Sequence, residues 1–377
     1  MKKILTLCMG VFSFSALFAQ QLSGPPSGDN QKSRVTQWIG PVEVTIDYSS
    51  PDVHAPNGDD RKGKIWGTPV AHYGFVDQGF GAGIPAPWRA GANENTTITL
   101  SHDVKIEGKD LKSGTYGLFL VVQKEGPWTW VFSKNSASWG SYFYNPAEDA
   151  LRVDVVVQDG AYTENLTYGF DDRKSNAATA YLQWELKKIP FKIEVPNVND
   201  LYVARMRDEL RSSPGFDYRN FSNAAMFCAN KKVNLEEGLK WADKAMDPTI
   251  GGVTDFNSLS AKALVLTAMG KGPESAEVMD KAIKLPSTAV GQIHQYGRTL
   301  LNGGYKEKAM EVFQYNAKTH PEEKFTPNVG LARGYTAMGD KKNAIKYWEL
   351  ALANLPENQK ANKDFYDGEL KKLKESK

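Results

Sequence analysis

Between residues 33 and 196 the chain alternates apolar and polar positions with a period of two. Val42, Val44, Ile46 and Tyr48 alternate with Glu43, Thr45 and Asp47. The same spacing returns at Tyr116, Leu118, Leu120 and Val122, at Trp128, Trp130 and Phe132, and at Leu151, Val153, Val155 and Val157. It returns again at Leu166, Tyr168 and Phe170, and at Leu182, Trp184 and Leu186. Such a pattern buries one face of a sheet and solvates the other. Gly108, Ser113-Gly114, Gly126-Pro127 and Asp159-Gly160 separate the runs with turn chemistry. About eight short strands with no helical pattern between them predict an all-β domain, sandwich or jelly-roll-like. Residues 51–95 do not fit: they are rich in Gly, Pro and Asp and carry little periodicity. Loops of that length inside compact domains are uncommon, and are often functional or disordered.

At Asn197-Val198-Asn199-Asp200 the period becomes helical, with Asn199 or Asp200 available to cap the first amides. Ser212-Ser213-Pro214-Gly215 separates this first helix from the next. Alanine-bearing helix ends then recur at Lys244-Ala245, Lys281-Ala282, Asn316-Ala317 and Leu350-Ala351. A spacing of roughly 34–37 residues is the period of helix-turn-helix repeats. One unit carries Gly297 for close helix approach, Ala309 and Phe313 to pack across it, and Pro321 to end it. The next carries Ala332, Tyr335, Ala344, Trp348, Ala351 and Pro356, with Gly339-Asp340 at the turn. Two looser units carry Leu239, Ala242 and Ala245, then Ala263, Gly270, Met279 and Ala282. Over residues 216–356 the pattern resembles tetratricopeptide repeats, which implies an α-solenoid of helix pairs.

The predicted organisation is multidomain, β followed by α. Residues 1–19 read as a signal peptide: Lys2 and Lys3, an apolar run from Ile4 to Phe14, and small residues up to Ala19, after which cleavage is expected. A lipid-attachment reading at Cys8 is disfavoured because Leu7 stands where a small residue is needed. A disordered leader is expected at 20–32, the β domain at 33–196, a linker helix at 197–215, four repeats at 216–356 and a polar capping helix or tail at 357–377. The expected location is periplasmic or secreted, with no transmembrane segment in the mature chain.

Removing residues 1–19 takes two lysines and no acid, leaving 44 basic and 44 acidic residues. That balance excludes the basic excess nucleic-acid binding needs. Cys228 is then the one cysteine, so no internal disulfide forms; its apolar neighbours Ala224, Ala225, Met226 and Phe227 predict a buried thiol.

Candidate chemistry concentrates in the β domain. The run Trp88-Arg89-Ala90-Gly91-Ala92-Asn93-Glu94-Asn95-Thr96 is followed by Ser101-His102-Asp103-Val104 and by Gly114-Thr115-Tyr116-Gly117-Leu118-Phe119. With Tyr48-Ser49-Ser50-Pro51, Lys64-Ile65-Trp66-Gly67, Trp139-Gly140 and Leu151-Arg152-Val153, it resembles the exported bacterial domain-of-unknown-function family DUF 2911. The resemblance covers about residues 30–190 and implies no activity. The stretch Gly74 to Pro87 is longer than the family pattern. Arg89 and Glu94 are expected to form a partly buried ion pair, with Asn93 and Asn95 satisfying turn backbone. These four, with His54, His72 and His102, are the candidate ligand-binding residues. Imidazoles with Asp52, Asp103 or Glu94 suit zinc, but no metal-ligand spacing occurs on one element, so no metal and no cofactor is expected. Gly79-x-Gly81-x-Gly83 is a glycine run with no helix after it. The aromatic run Trp139, Tyr142, Phe143 and Tyr144 either plugs the core or stacks on a glycan.

Two functions of different class are compatible with these features. The first is an exported interaction or scaffold protein whose helical groove binds a protein or peptide partner. The expected groove residues are Asn223, Asn257, His294, Arg298 and Arg333, with Asn220 at a related position; Arg298 and Arg333 are 35 residues apart and one repeat above the other. Their alternative role is surface pairing with acids such as Glu307 or Glu311. The second function is an envelope hydrolase or carbohydrate-binding protein with a small-ligand or glycan site in the β domain. No reaction is fixed: serine nucleophile elbows, phosphate loops and Cys–His pairs are absent from the sequence.

Overall fold

The computed structural model describes residues 27–79 and 83–376. The expected signal peptide with Cys8, most of the expected leader, and Gly81 of the glycine run lie outside them. The described chain divides near residue 198 into two compact units, an N-terminal unit of β-sheet and a C-terminal unit of helices.

The first unit holds two antiparallel sheets. The six-stranded sheet runs in the order β1 (Gln31–Ile39), β2 (Val42–Ser50), β3 (Thr97–Leu100), β6 (Gly114–Val121), β7 (Trp128–Ser133) and β8 (Asp149–Val155). The four-stranded sheet runs β5 (Lys109–Leu111), β4 (Val104–Ile106), β10 (Ala177–Glu194) and β9 (Gln158–Asp171). Strand pairing begins at Gln31, inside the segment expected to be a disordered leader, because nine residues of β1 find partners along β2. Trp130 of β7 meets Phe191 of β10 edge-on at 5.2 Å and Tyr168 of β9 at 6.3 Å, so the inner faces of the two sheets share one apolar core.

Most period-two runs bury as the alternation predicts, with Val42, Val44, Ile46, Leu118, Leu120 and Leu182 fully enclosed. Strand β10 departs from it. Trp184 and Glu185 are both buried, Leu186 is 48% exposed, and from there the buried positions are Ile189, Phe191 and Ile193. Glu185 has φ +52°, and the register against β9 shifts on both sides of it. This irregularity moves the inward phase by one residue, which is why Leu186 faces solvent.

The described residues of 51–95 form isolated bridges and no named strand. Isolated bridges tie them to distant chain: Asp52 to Asn165, Tyr73 to Val122 and Trp88 to Leu120. Val53, Ile65, Ala71 and Ala86 are fully buried. Trp66 plugs the segment into the core, with ring centroids 5.0 Å from Trp128, 5.7 Å from Trp88 and 6.0 Å from Trp184.

The second unit has ten α-helices among the described residues. Helix α1 (Val198–Glu209) starts early enough that Asp200 lies inside its first turn and accepts the Asn234 amide instead of capping. Its Val203 is buried with Phe221, Cys228 and Trp241, so this helix packs as part of the helical core. The remaining helices up to α9 pair in sequence: α2 (Tyr218–Lys231) with α3 (Leu235–Lys244), α4 (Phe256–Ala268) with α5 (Gly272–Ala282), α6 (Val290–Asn302) with α7 (Lys306–Thr319), and α8 (Thr326–Met338) with α9 (Lys341–Ala353). Ala245, Ala282, Ala309, Ala344 and Ala351 are fully buried. Helix α10 (Lys363–Glu375) lays Tyr366, Leu370 and Leu373 on the cluster of Phe325, Val329 and Trp348. Burial pushes the Cys228 thiol up to about 11, so it stays protonated at neutral pH.

Candidate functional site

In the β unit the expected ion pair between Arg89 and Glu94 does not form. Ala90 and Asn93 both take positive φ, +50° and +57°, and these turns send the two side chains to different partners. Glu94 meets Lys32 of β1 at 2.7 Å and accepts from Ser49, and the Lys32 bond holds its carboxyl below the usual range. The Arg89 guanidinium donates to the Asn93 carbonyl at 2.9 Å and lies 5.2 Å from the Tyr142 ring centroid. Gly140 makes room for it, because a Cβ there would sit 2.4 Å from the guanidinium. Asn93 donates to the Ser27 carbonyl, and the buried Asn95 to the Asn135 carbonyl. Both asparagines thus bond backbone of other segments. Of the aromatic run, Tyr144 is buried against Phe119, while Trp139 and Phe143 are about half exposed.

The three histidines do not share one site. His72 contacts Gln78 at 3.2 Å and His102 contacts Ser101 at 2.9 Å. Burial lowers the pKa of His72. His54 belongs to a denser network. Its Nδ1 lies 3.0 Å from the Glu164 carboxylate and its Nε2 3.6 Å from Asp60. Glu164 also accepts the His54 backbone N–H at 2.7 Å and the Tyr162 hydroxyl at 2.5 Å. These donors, Tyr162 foremost, hold Glu164 down at about 2, and the same bond raises Tyr162 to about 12. Nearby, the buried carboxylate of Glu185 accepts the Gly63 N–H. Among the described residues no group of three or more His, Cys, Asp or Glu side chains is placed to hold a metal ion.

The helical unit brings three of the expected groove residues together. His294 and Arg298 lie one turn apart on α6, and Arg333 lies on α8, which packs against α6. Arg333 is half-buried, its guanidinium 5.7 Å from the Trp348 ring centroid and 5.6 Å from that of Phe365 on α10. Its Nε and the Nδ1 of His294 are both buried without a hydrogen-bond partner. Among the described residues neither Arg298 nor Arg333 takes part in an ion pair; Glu311 pairs with Lys308, and Glu369 of α10 with Lys372. Burial and the two arginines push His294 down to about 4, and burial with Arg298 lowers Arg333. At neutral pH Arg298 and Arg333 are therefore the two charges of a positive site, beside an uncharged His294 whose Nδ1 is unsatisfied. Asn257 stands apart and contacts Gln292 of α6 at 3.4 Å. Asn220 donates to the Pro214 carbonyl, and the exposed Asn223 lines a separate cleft of about 450 Å³ with Met206, Leu210 and Phe227.

Residues 30–193 match the family model described as a protein of unknown function, DUF2911. The resemblance at Trp88–Thr96 and Gly114–Phe119 falls inside this DUF2911 match, which ends before α1. No curated protein matches the chain. No helix among the described residues is long and apolar enough to cross a membrane.

Several residues of these sites were not singled out in the sequence. Lys32, Glu164 and Tyr162 come from β1 and β9, and nothing in their local pattern points to Glu94 or His54, which are remote in the chain. Trp348 and Phe365 read as core and cap, yet they also flank Arg333.

Proposed function

We propose that the protein is an exported interaction protein of the cell envelope, gripping a protein or peptide partner along its helical unit. In this reading α2 to α9 are four tetratricopeptide-type pairs stacked as a solenoid with a concave groove, and the two sheets are a sandwich. Export rests on the signal pattern of residues 1–19. The observation that carries the reading is the positive site on α6 and α8. Arg298 and Arg333 form no ion pair among the described residues, Glu369 acts on Arg333 only from a distance, and Arg333 and His294 have buried unpartnered nitrogens, which together favour an anionic group supplied from outside. Recovery of partners from envelope extract by the mature chain and by the variant Arg298→Ala with Arg333→Ala tests it. The variant is expected to keep its helical circular dichroism and lose the main partner. Unchanged recovery would remove these residues from the binding surface.

A hydrolase or carbohydrate-binding role for the β unit is favoured by one observation, the Tyr162–Glu164–His54–Asp60 chain of polar contacts at the molecular surface. Reporter esters and glycosides assayed with the native chain and with Glu164→Gln test it; no native turnover or glycan binding ends that reading.

A further inference from the structure

Helix α4 packs closely on α2, and α6 on α8, but a cleft of about 270 Å³ opens between α4 and α6. Resting on the groove reading above, we propose that this cleft is a subsite for one apolar side chain of an extended peptide whose neighbouring carboxylate binds Arg298 and Arg333.

The lining supports that occupant. Ala263 and Met279 are buried, Tyr296 is half-buried, and Leu264 is 36% exposed, so the cleft offers apolar surface to a visitor. Its size is below the roughly 300–1,000 Å³ of small-molecule sites and suits one Leu- or Met-sized group. No carboxylate lines it. The exposed Gln295 lines it with an amide that can meet an extended backbone, while the Gln292 amide is held by the Ala289 N–H and Asn257. The Ser260 hydroxyl in the same cleft is buried with no partner, a group that a peptide N–H or C=O would satisfy. Gln295 also joins the cleft to the positive site, its Oε1 lying 3.5 Å from the Arg298 guanidinium. An apolar residue in the cleft therefore places its chain neighbours beside Arg298, and the next helix in the row carries Arg333. Charge complementarity with Arg298 and Arg333 selects an acidic side chain next to the apolar one.

Fluorescence polarisation with the mature chain tests this, using synthetic peptides that carry one Leu and one Glu at graded spacings on a Ser background. At the favoured spacing, replacing Leu by Ser or Glu by Gln is each expected to weaken binding by about tenfold or more. Thr299→Trp, an exposed position on the cleft wall, is expected to erase the Leu preference and keep the Glu preference; Gln295→Trp is a second plug if the first disturbs the helical signal. A Glu preference with no Leu preference overturns the subsite and leaves the groove reading standing. Binding of none of the peptides, while partner recovery stays sensitive to the arginine pair, also overturns the subsite alone. Loss of both signals removes both proposals.

Discussion

The ring of Phe313 lies so close to Gly297 that a Cβ at Gly297 would sit 2.3 Å from it. Helices α6 and α7 can pack at this distance only with hydrogen at that position. Gly297→Ala should therefore destabilise by about 1–3 kcal/mol through overpacking, despite the better helix propensity of alanine. Adding Phe313→Leu should recover part of the loss, because the two sites share one contact. Urea titration followed by helical circular dichroism reads both; additive losses would mean the ring yields freely.

His294 makes the helical unit acid-sensitive. Its folded pKa is pushed down to about 4 from 6.5, mainly by burial and then by Arg333 and Arg298. The unfolded chain then takes up a proton in the window between those values before the folded chain does. The contribution is complete above 6.5 and is lost as pH falls toward 4, by up to about 3 kcal/mol. Melting temperatures measured across that window should fall with acidification, and His294→Gln should flatten the dependence. A bound carboxylate would favour the imidazolium, so peptide affinity should rise over the same window.

Glu185 tethers the 51–95 segment through the Gly63 N–H. Glu185→Gln keeps an acceptor and should cost little. Glu185→Ala removes the acceptor of the Gly63 N–H, which is exposed enough to turn to water, and should cost about 0.5–1.5 kcal/mol. Hydrogen exchange at Gly63 is expected to speed up in the alanine variant, while the β-sheet amides of β9 and β10 stay protected. Equal exchange at Gly63 in the two variants would show that the carboxylate does not hold the segment.

Trp66 holds the same segment by its ring alone, since its buried Nε1 has no hydrogen-bond partner. Trp66→Phe therefore loses no polar contact and should be tolerated far better than Trp66→Ala, for which about 3–5 kcal/mol is expected. Denaturant unfolding followed by far-ultraviolet dichroism compares them; equal losses would point to an unseen role for the indole N–H.

The sheets were legible because Val42, Val44 and Ile46, or Trp128, Trp130 and Phe132, each report one face over several residues. Leu186 was misplaced because a phase change at Glu185 leaves no mark in a single sequence. The 51–95 segment gave no pattern since its burial comes from bridges to Asn165, Val122 and Leu120, all remote in the chain. Arg89 and Glu94 looked like a pair because they are close in sequence, but two left-handed backbone positions between them turned them apart. Arg298 and Arg333 are carried on two packed helices, α6 and α8. Their ring partners were invisible because Phe365 arrives from the far end of the chain.

The phase slip in β10 also separates two duties that strands usually combine. Leu182 and Trp184 point inward on even positions, Ile189, Phe191 and Ile193 on odd ones. Deleting Glu185 would renumber the second group into step with the first, so every apolar side chain could keep its face in one regular strand. What would vanish is the inward carboxylate and its hold on Gly63. The closed core and the fastening of the long loop thus answer to different edits of the same strand, one to its composition and the other to its length.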